Sequence, residues 1–257
     1  MKQIYYMDFD TSVSPQQKDL YMQFLSEERG KRVLRCKSSK AALECMQTGL
    51  FLRYGLEQIE NGLYEQVVTG ENGKPYIRGN PFYFNISHSH RYVMLLISDV
   101  PCGIDVQKQI PYKEKLANRV LHAKELAVID HFREMPSSVL LTLLWSGKEA
   151  YLKYTGQGIR YAMSDLDISA YPMTWERVSA ASSCGQETGG EQEPGCRQAF
   201  DYIQERAVYL ENLNVFMMGF FLSGGYYGTI CMEKPFSAEN SIYIAPQELF
   251  SYFSCFS

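Results

Sequence analysis

The sequence predicts an α+β protein, because stretches with helical and with strand periodicity occur in both halves of the chain. In the first half an amphipathic run at 40–58 stands among short apolar runs at 3–9, 82–86 and 92–97. In the second half, helical sequence from 113 to 156 is followed by apolar runs at 207–210, 215–222 and 226–232. Each half thus combines helices with a group of strands. This suggests two similar lobes, 1–101 and 102–257, although no internal sequence repeat is evident.

The elements follow in order. Residues 3–9 read as a strand, and Ser14-Pro15 starts a helix with a capping residue and a first-turn proline; Leu20, Phe24 and Leu25 are expected to face inward. A basic cluster comes next, Arg29, Lys31, Arg32, Arg35, Lys37 and Lys40, in a chain that is acidic overall. It is either a solvated helical face or a local anion site. Ser38 or Ser39 caps a helix over 40–58, whose Leu43, Met46, Leu50, Phe51 and Tyr54 recur at core spacing. Residues 64–68 read as a strand, and Glu71-Asn72-Gly73-Lys74-Pro75 as a turn. Strands at 82–86 and 92–97 flank a Ser87-His88-Ser89-His90 turn, and a third strand at 102–106 places Asp105 near its carboxyl end.

The helical stretch 113–156 is expected to break near Leu121 and near Pro136, with Gly156 just past its end. Strands are expected at 166–170 and 174–178. Residues 179–196, rich in Gly, Ser and Glu, read as a mobile surface loop without chemistry. The uncharged run 215–232 is broken by Ser223, Gly224 and Gly225, so it reads as a hairpin rather than a membrane span.

Composition narrows the function. Of 257 residues, 46% are hydrophobic and 21% charged, which describes an ordered globular chain. The formal net charge of −4 gives no global attraction to nucleic acid or a membrane, so any anion site has to be local. Seven cysteines, an odd number without a C-x-x-C pair, suit reduced thiols in a cytoplasm. The opening MKQIYYMDFD has no apolar signal core, so secretion is not expected.

The stretch LWSGKEAYLK, 144–153, stands apart. On a helix Trp145, Lys148, Glu149 and Leu152 share about a third of the circumference, with Lys153 at its edge. An apolar face that carries charges needs polar partners, since an unpaired charge turned to a core costs several kcal/mol. A bland solution is an internal Glu149–Lys153 pair with a snorkelling Lys148. The chemical solution is a site.

Three stretches in order, GNPFYFNISHSHRYV, CGIDVQ and WSGKEAYLK, resemble the 4′-phosphopantetheinyl transferase superfamily, in particular its larger surfactin-type members. Gly73-Lys74-Pro75 and a helical Glu125 preceded by Arg119 also fit, so the resemblance spans 25–160. It implies two fused lobes in a pseudo-two-fold arrangement. It also implies transfer of the 4′-phosphopantetheine arm of coenzyme A to a serine of an apo acyl or peptidyl carrier protein, with release of 3′,5′-ADP. A cytoplasmic monomer is expected, with Mg²⁺ (or Mn²⁺) held by Asp105, Glu149 and Gln107. Lys153 would contact the α-phosphate, Lys148 would sit by the pyrophosphate or stiffen the site, and Glu149 would help deprotonate the serine. His88, Ser87, Lys74 and Lys31 would hold the nucleotide and its 3′-phosphate. Three departures stand out. Gln107 replaces the usual second acid, Glu28 and Leu43 occupy usual clamp positions so that Arg29, Arg32 or Lys40 must substitute, and His90 follows the histidine turn in place of glycine.

Two rivals remain. His88-x-His90 on an extended segment, with Asp105 or Glu149, would make a zinc hydrolase site. Loss of the second acid would instead leave a module that binds coenzyme A or a carrier protein without catalysis.

Overall fold

The computed structural model describes residues 2–70, 73–79, 81–133, 135–158, 162–171, 202–203, 207–236 and 241–255. The expected strand at 174–178 and the expected loop at 179–196 lie outside the described residues. The class is α+β. By its contacts the chain divides into Met1–Asp99 with Asn240–Ser257, and Val100–Glu239. The end of the chain thus belongs to the first unit, where 102–257 was read as one lobe.

In the first unit, β1 (Lys2–Asp8), β4 (Tyr83–Ser89) and β5 (Tyr92–Ser98) are antiparallel neighbours in the order β1, β5, β4. The terminal strand β11 (Ser241–Tyr243) extends this sheet in parallel with β1. All seven residues of β5 are buried, as the inner position requires. Ser14 caps α1 (Pro15–Met22) in a reciprocal box with Gln17. Its inward residue is Tyr21, whereas Leu20, expected inside, is 38% exposed. α2 (Glu27–Leu34) packs on α3 (Ser39–Glu57), whose N-cap is Ser38 and whose Met46, Leu50, Phe51 and Tyr54 enter the core as read.

Two corrections concern short elements. Residues 64–66 form a 3-10 turn, so the strand read at 64–68 shrinks to β2 (Val67–Thr69), paired with β3 (Pro75–Ile77). The hairpin closes through Gly70 and Lys74, with Gly73 at φ +78. The carboxyl-terminal helix α7 (Pro246–Ser254) was not anticipated. Two hydroxyls hold it to α3. Tyr54 donates to Glu248 Oε1 at 2.9 Å and Tyr252 to Glu57 Oε2 at 2.8 Å, which fastens the end of the chain to this unit.

In the second unit, β6 (Cys102–Lys108) is an edge strand beside β10 (Tyr226–Met232), followed by β9 (Val215–Leu222) and β7 (Tyr202–Ile203), with β8 (Val208–Leu210) also on β9. Gly224 and Gly225, at φ +79 and +75, form the hairpin turn between β9 and β10. The helical stretch breaks where expected, into α4 (Glu114–Val120), α5 (Ala123–His131) and α6 (Ser137–Thr155). Gly156 at φ +72 ends α6. Residues 166–170 are not a strand. Leu166 and Ile168 are buried, but the backbone N–H groups of Ile168 and Ser169 go to the Glu125 and Asp167 carboxylates instead of a ladder. No helix among the described residues is long and apolar enough to cross a membrane.

Candidate functional site

β6 and α6 build the site. Side chains two apart on a strand share a face, so Gly103, Asp105 and Gln107 point the same way. α6 lies over that face. A Cβ at Gly103 would stand 2.1 Å from Ala150 O and 2.6 Å from Tyr154 N, so the two backbones approach as only glycine permits. A buried hydroxyl set fixes the helix on the neighbouring strand. Thr229, paired in register with Asp105, has its Oγ1 2.8 Å from both Ser146 Oγ of α6 and Tyr171 OH. Sequence reasoning missed this trio, whose members carry no signature apart from their fold.

Lys153 Nζ reaches Asp105 Oδ1 at 2.7 Å and Ile104 O at 3.2 Å. Asp105 is 5% exposed, so this ion pair is screened far less than a surface one. Glu149 lies one helical turn before Lys153 and is half-buried. Burial and then the Asp105 charge push its carboxyl upward, while Lys153 pulls it down. The Asp105 charge thus acts on Glu149 while the Lys153 ammonium is held on Asp105, and Gln107 stands half-buried on the same strand face as Asp105.

That donor set fits a hard divalent cation. Mg²⁺ takes one or two protein carboxylates and completes its shell with water and phosphate oxygens. No group of three His, Cys, Asp or Glu occurs among the described residues, so a three-ligand zinc site has no basis there. The His88-x-His90 reading fails on geometry too. His88 lies on β4, exposed and edge-on to Phe9 at 5.9 Å, but His90 has left the strand at φ +49, which ends the alternation.

Lys148 takes a different course from the one offered for it beside the ligand. Its side chain is wholly buried, and its three N–H donors go to Glu125 Oε2 at 2.6 Å, Val120 O at 3.0 Å and Met163 O at 2.8 Å. Glu125 also accepts the N–H groups of His122 and Ile168. Burial raises the Glu125 carboxyl and lowers the Lys148 ammonium, and each charge opposes the other's shift. Lys148 is therefore a brace joining α4, α5, α6 and residues 163–168. The sequence flagged a lysine in need of a partner and could not say which acid the fold would bring.

The remaining candidates belong to the first unit. Ser87 is buried on β4, and Lys74 sits half-buried at the β2–β3 turn. Lys31 is exposed and pairs with Glu27 on its own helix, and Lys40 lies 3.8 Å from Glu44. Arg29 and Arg32 instead line a hollow of about 50 Å³ together with Ser26, Tyr64, Gly73, Pro75 and Glu28, whose carboxylate accepts from Thr69 Oγ1 at 2.7 Å. The hollow brings the basic cluster to the Gly73-Lys74-Pro75 turn, and it is the arginines, not Lys31, that face it.

Residues 101–196 match the family model of the 4′-phosphopantetheinyl transferase superfamily. The chain is 38% identical over 103 residues to 4′-phosphopantetheinyl transferase psf-1 of Bacillus pumilus, covering 39% of this chain and 44% of that protein. It is 26% identical over 172 residues to 4′-phosphopantetheinyl transferase Sfp of Bacillus subtilis (strain 168), covering 64% of this chain and 75% of the other. With 4′-phosphopantetheinyl transferase gsp of Aneurinibacillus migulanus it shares 29% over 137 residues, 52% of this chain and 57% of that one. The chain thus spans less than half of the Bacillus pumilus relative and three quarters of the Bacillus subtilis one. The matched segment contains β6 and α6 with Asp105, Gln107, Glu149 and Lys153 in place, so over 101–196 the chain is similar to the 4′-phosphopantetheinyl transferase superfamily at the residues that build the site.

Proposed function

We propose that the chain transfers the 4′-phosphopantetheine arm of coenzyme A to the serine hydroxyl of an apo carrier protein, as a holo-acyl-carrier-protein synthase type of enzyme, releasing 3′,5′-ADP. The observation that carries this reading is the meeting of Lys153, Asp105 and Glu149 on the face that α6 shares with β6. Phosphoryl transfer needs positioned charge more than covalent help, and this constellation supplies both signs at one place.

The serine Oγ forms a bond to the β-phosphorus of coenzyme A while the pyrophosphate P–O bond on the ADP side breaks. Glu149, with its carboxyl raised by burial and by Asp105, is suited to take the serine proton. Lys153 faces the developing charge on the departing phosphate. Asp105 aims that ammonium by its 2.7 Å contact. Mg²⁺ held by Asp105, Glu149 and the Gln107 carbonyl would neutralise phosphate charge as a Lewis acid. Arg29 and Arg32 hold the 3′-phosphate in the hollow beside Lys74, and His88 and Ser87 contribute from β4. An odd number of cysteines without a C-x-x-C pair favours a reducing cytoplasm, where the chain would act as a monomer.

The test is direct. The chain is incubated with coenzyme A, Mg²⁺ and an apo acyl carrier protein, and the carrier's mass is followed. The expected gain is that of one phosphopantetheine arm, and Asp105→Ala lowers its rate by more than about tenfold, ~1.4 kcal/mol of barrier, at a temperature where the variant is still folded by circular dichroism. Coenzyme A binding without any gain would turn the reading into that of a binding module.

A further inference from the structure

Three consecutive residues of α6, Ser146, Gly147 and Lys148, are each held just before Glu149, by residues 163–171 or by β10. Lys148 Nζ donates to Met163 O at 2.8 Å. A Cβ on Gly147 would stand 2.7 Å from Ile168 Cδ1 and 3.4 Å from the Tyr171 ring, so that segment packs on the helix backbone itself. Ser146 Oγ meets Thr229 Oγ1 at 2.8 Å, Thr229 Oγ1 meets Tyr171 OH at 2.8 Å, and all three residues are wholly buried. Ser146 Oγ also donates to Leu143 O at 3.3 Å. A hydroxyl has one proton, so Ser146 accepts from Thr229 and Thr229 accepts from Tyr171. The donors thus run in one direction, from Tyr171 through Thr229 to the backbone of α6. Burial pushes the Tyr171 hydroxyl up and keeps its proton in place. Thr229 is also the in-register partner of Asp105, so the two side chains project from the same face of the β6–β10 pair.

We propose that Thr229 is a positioning residue for the transfer, a role that rests on the function proposed above: through Ser146 it sets where Glu149 and Lys153 of α6 stand relative to Asp105 of β6. Its oxygen is bonded to the helix while its backbone is laid beside that of Asp105. Ser146, Glu149 and Lys153 follow one another at i, i+3 and i+7, so they share one face of α6. The 2.7 Å contact of Lys153 Nζ with Asp105 Oδ1 therefore closes a frame that begins at the Thr229–Ser146 bond. Without the Thr229 hydroxyl the buried Ser146 oxygen loses a donor, a penalty that the helix relieves by shifting on the sheet. Thr229 thus acts through the helix, on residues that meet the substrate.

Thr229→Val keeps the shape and removes the hydroxyl, whereas Thr229→Ser keeps the hydroxyl and removes a methyl. Rates are taken with coenzyme A, Mg²⁺ and an apo acyl carrier protein, at a temperature where circular dichroism shows every variant folded. A hydroxyl that only stabilised the fold would leave kcat there unchanged. Thr229→Val is expected to lower kcat about tenfold with KM for coenzyme A within about twofold of the parent's, and Thr229→Ser to recover most of the rate. An unchanged kcat, a loss confined to KM, or a Thr229→Ser rate as low as that of Thr229→Val overturns the inference. A second arm needs no transfer. Lys153→Met is added to the parent, to Thr229→Val and to Thr229→Ser, and the shift it causes in the urea midpoint is read. That shift is expected to be at most about half as large in Thr229→Val as in the other two, because a displaced helix no longer brings Lys153 fully to Asp105. Equal shifts in all three overturn the inference. Should Thr229→Val not fold, Ser146→Ala removes the helix end of the same hydroxyl chain and takes its place in both arms. If the parent transfers nothing, the proposed function falls and the urea midpoints alone decide this inference.

Discussion

Lys148 Nζ lies 2.6 Å from Glu125 Oε2, and neither side chain is exposed to solvent. Removing one member of such a pair strands the other charge in the core, at a cost of about 3–5 kcal/mol. Lys148→Met is therefore expected to lower the urea midpoint sharply. Adding Glu125→Leu should cost much less than the sum of the two single changes, because the stranded charge is gone. The double-mutant cycle checks this. Additive losses would mean the pair does not act as a unit.

Gln107 offers a different test, of charge rather than of packing. It is half-buried, two residues beyond Asp105 on the same strand face, where a carboxylate needs no new backbone geometry. Gln107→Glu is expected to lower the Mg²⁺ concentration that gives half-maximal transfer rate, since a third negative charge near a divalent ion favours its binding. Initial rates over a Mg²⁺ titration decide it, and a requirement that rises would place Gln107 outside the metal's reach.

Much of this arrangement was readable in the sequence, for reasons that particular residues make plain. The breaks between α4, α5 and α6 follow from local chemistry at Leu121, Pro136 and Gly156, and the β9–β10 turn from Gly224-Gly225, so neighbours in sequence were enough. LWSGKEAYLK announced that charges on an apolar face must be met. It did not say that Lys148 would go to Glu125 and Lys153 to Asp105, because those contacts cross 23 and 48 positions and depend on how α6 is laid on β6. The 166–170 segment misled for a related reason. Its alternating Leu166 and Ile168 do point inward, but carboxylates rather than a neighbouring strand take its backbone donors. β11 and α7 escaped notice since a three-residue strand and a helix held by distant tyrosine–glutamate contacts have little local pattern of their own.

Asp167 links that same segment to α5, its Oδ2 2.8 Å from Lys124 Nζ and its Oδ1 accepting the Ser169 N–H. Burial works against its ionisation, but the Lys124 and Ser169 hydrogen bonds prevail and hold its carboxyl down to about 2, from an ordinary 3.8. A carboxyl with a lowered folded-state pKa stabilises the fold above its unfolded value and stops doing so as pH falls through the folded one. Asp167→Asn is thus expected to be less stable than the parent at neutral pH. The gap should narrow from about pH 3.8 downward and close near pH 2, as read from urea midpoints across that range. A gap independent of pH would mean the loss comes from the amide's shape and not from the missing charge.

Gly103 sets the distance on which the site depends. An added Cβ there would meet Ala150 O at 2.1 Å, Tyr154 N at 2.6 Å and Tyr154 Cβ at 3.0 Å, and the two closest atoms are backbone that no rotamer change moves aside. Gly103→Ala must therefore push α6 off β6, with an overpacking cost of about 1–3 kcal/mol or more. Lys153 stands next to Tyr154 and spans to Asp105, so the same displacement opens its 2.7 Å contact. Melting temperature and transfer rate are expected to fall together in this variant. In Asp105→Ala the rate is expected to fall by far more than its change in melting temperature accounts for, whereas in Gly103→Ala the two fall in step, so the two variants separate a misplaced helix from a missing carboxylate. If Gly103→Ala melts and turns over like the parent, the helix does not rest on this strand as closely as described.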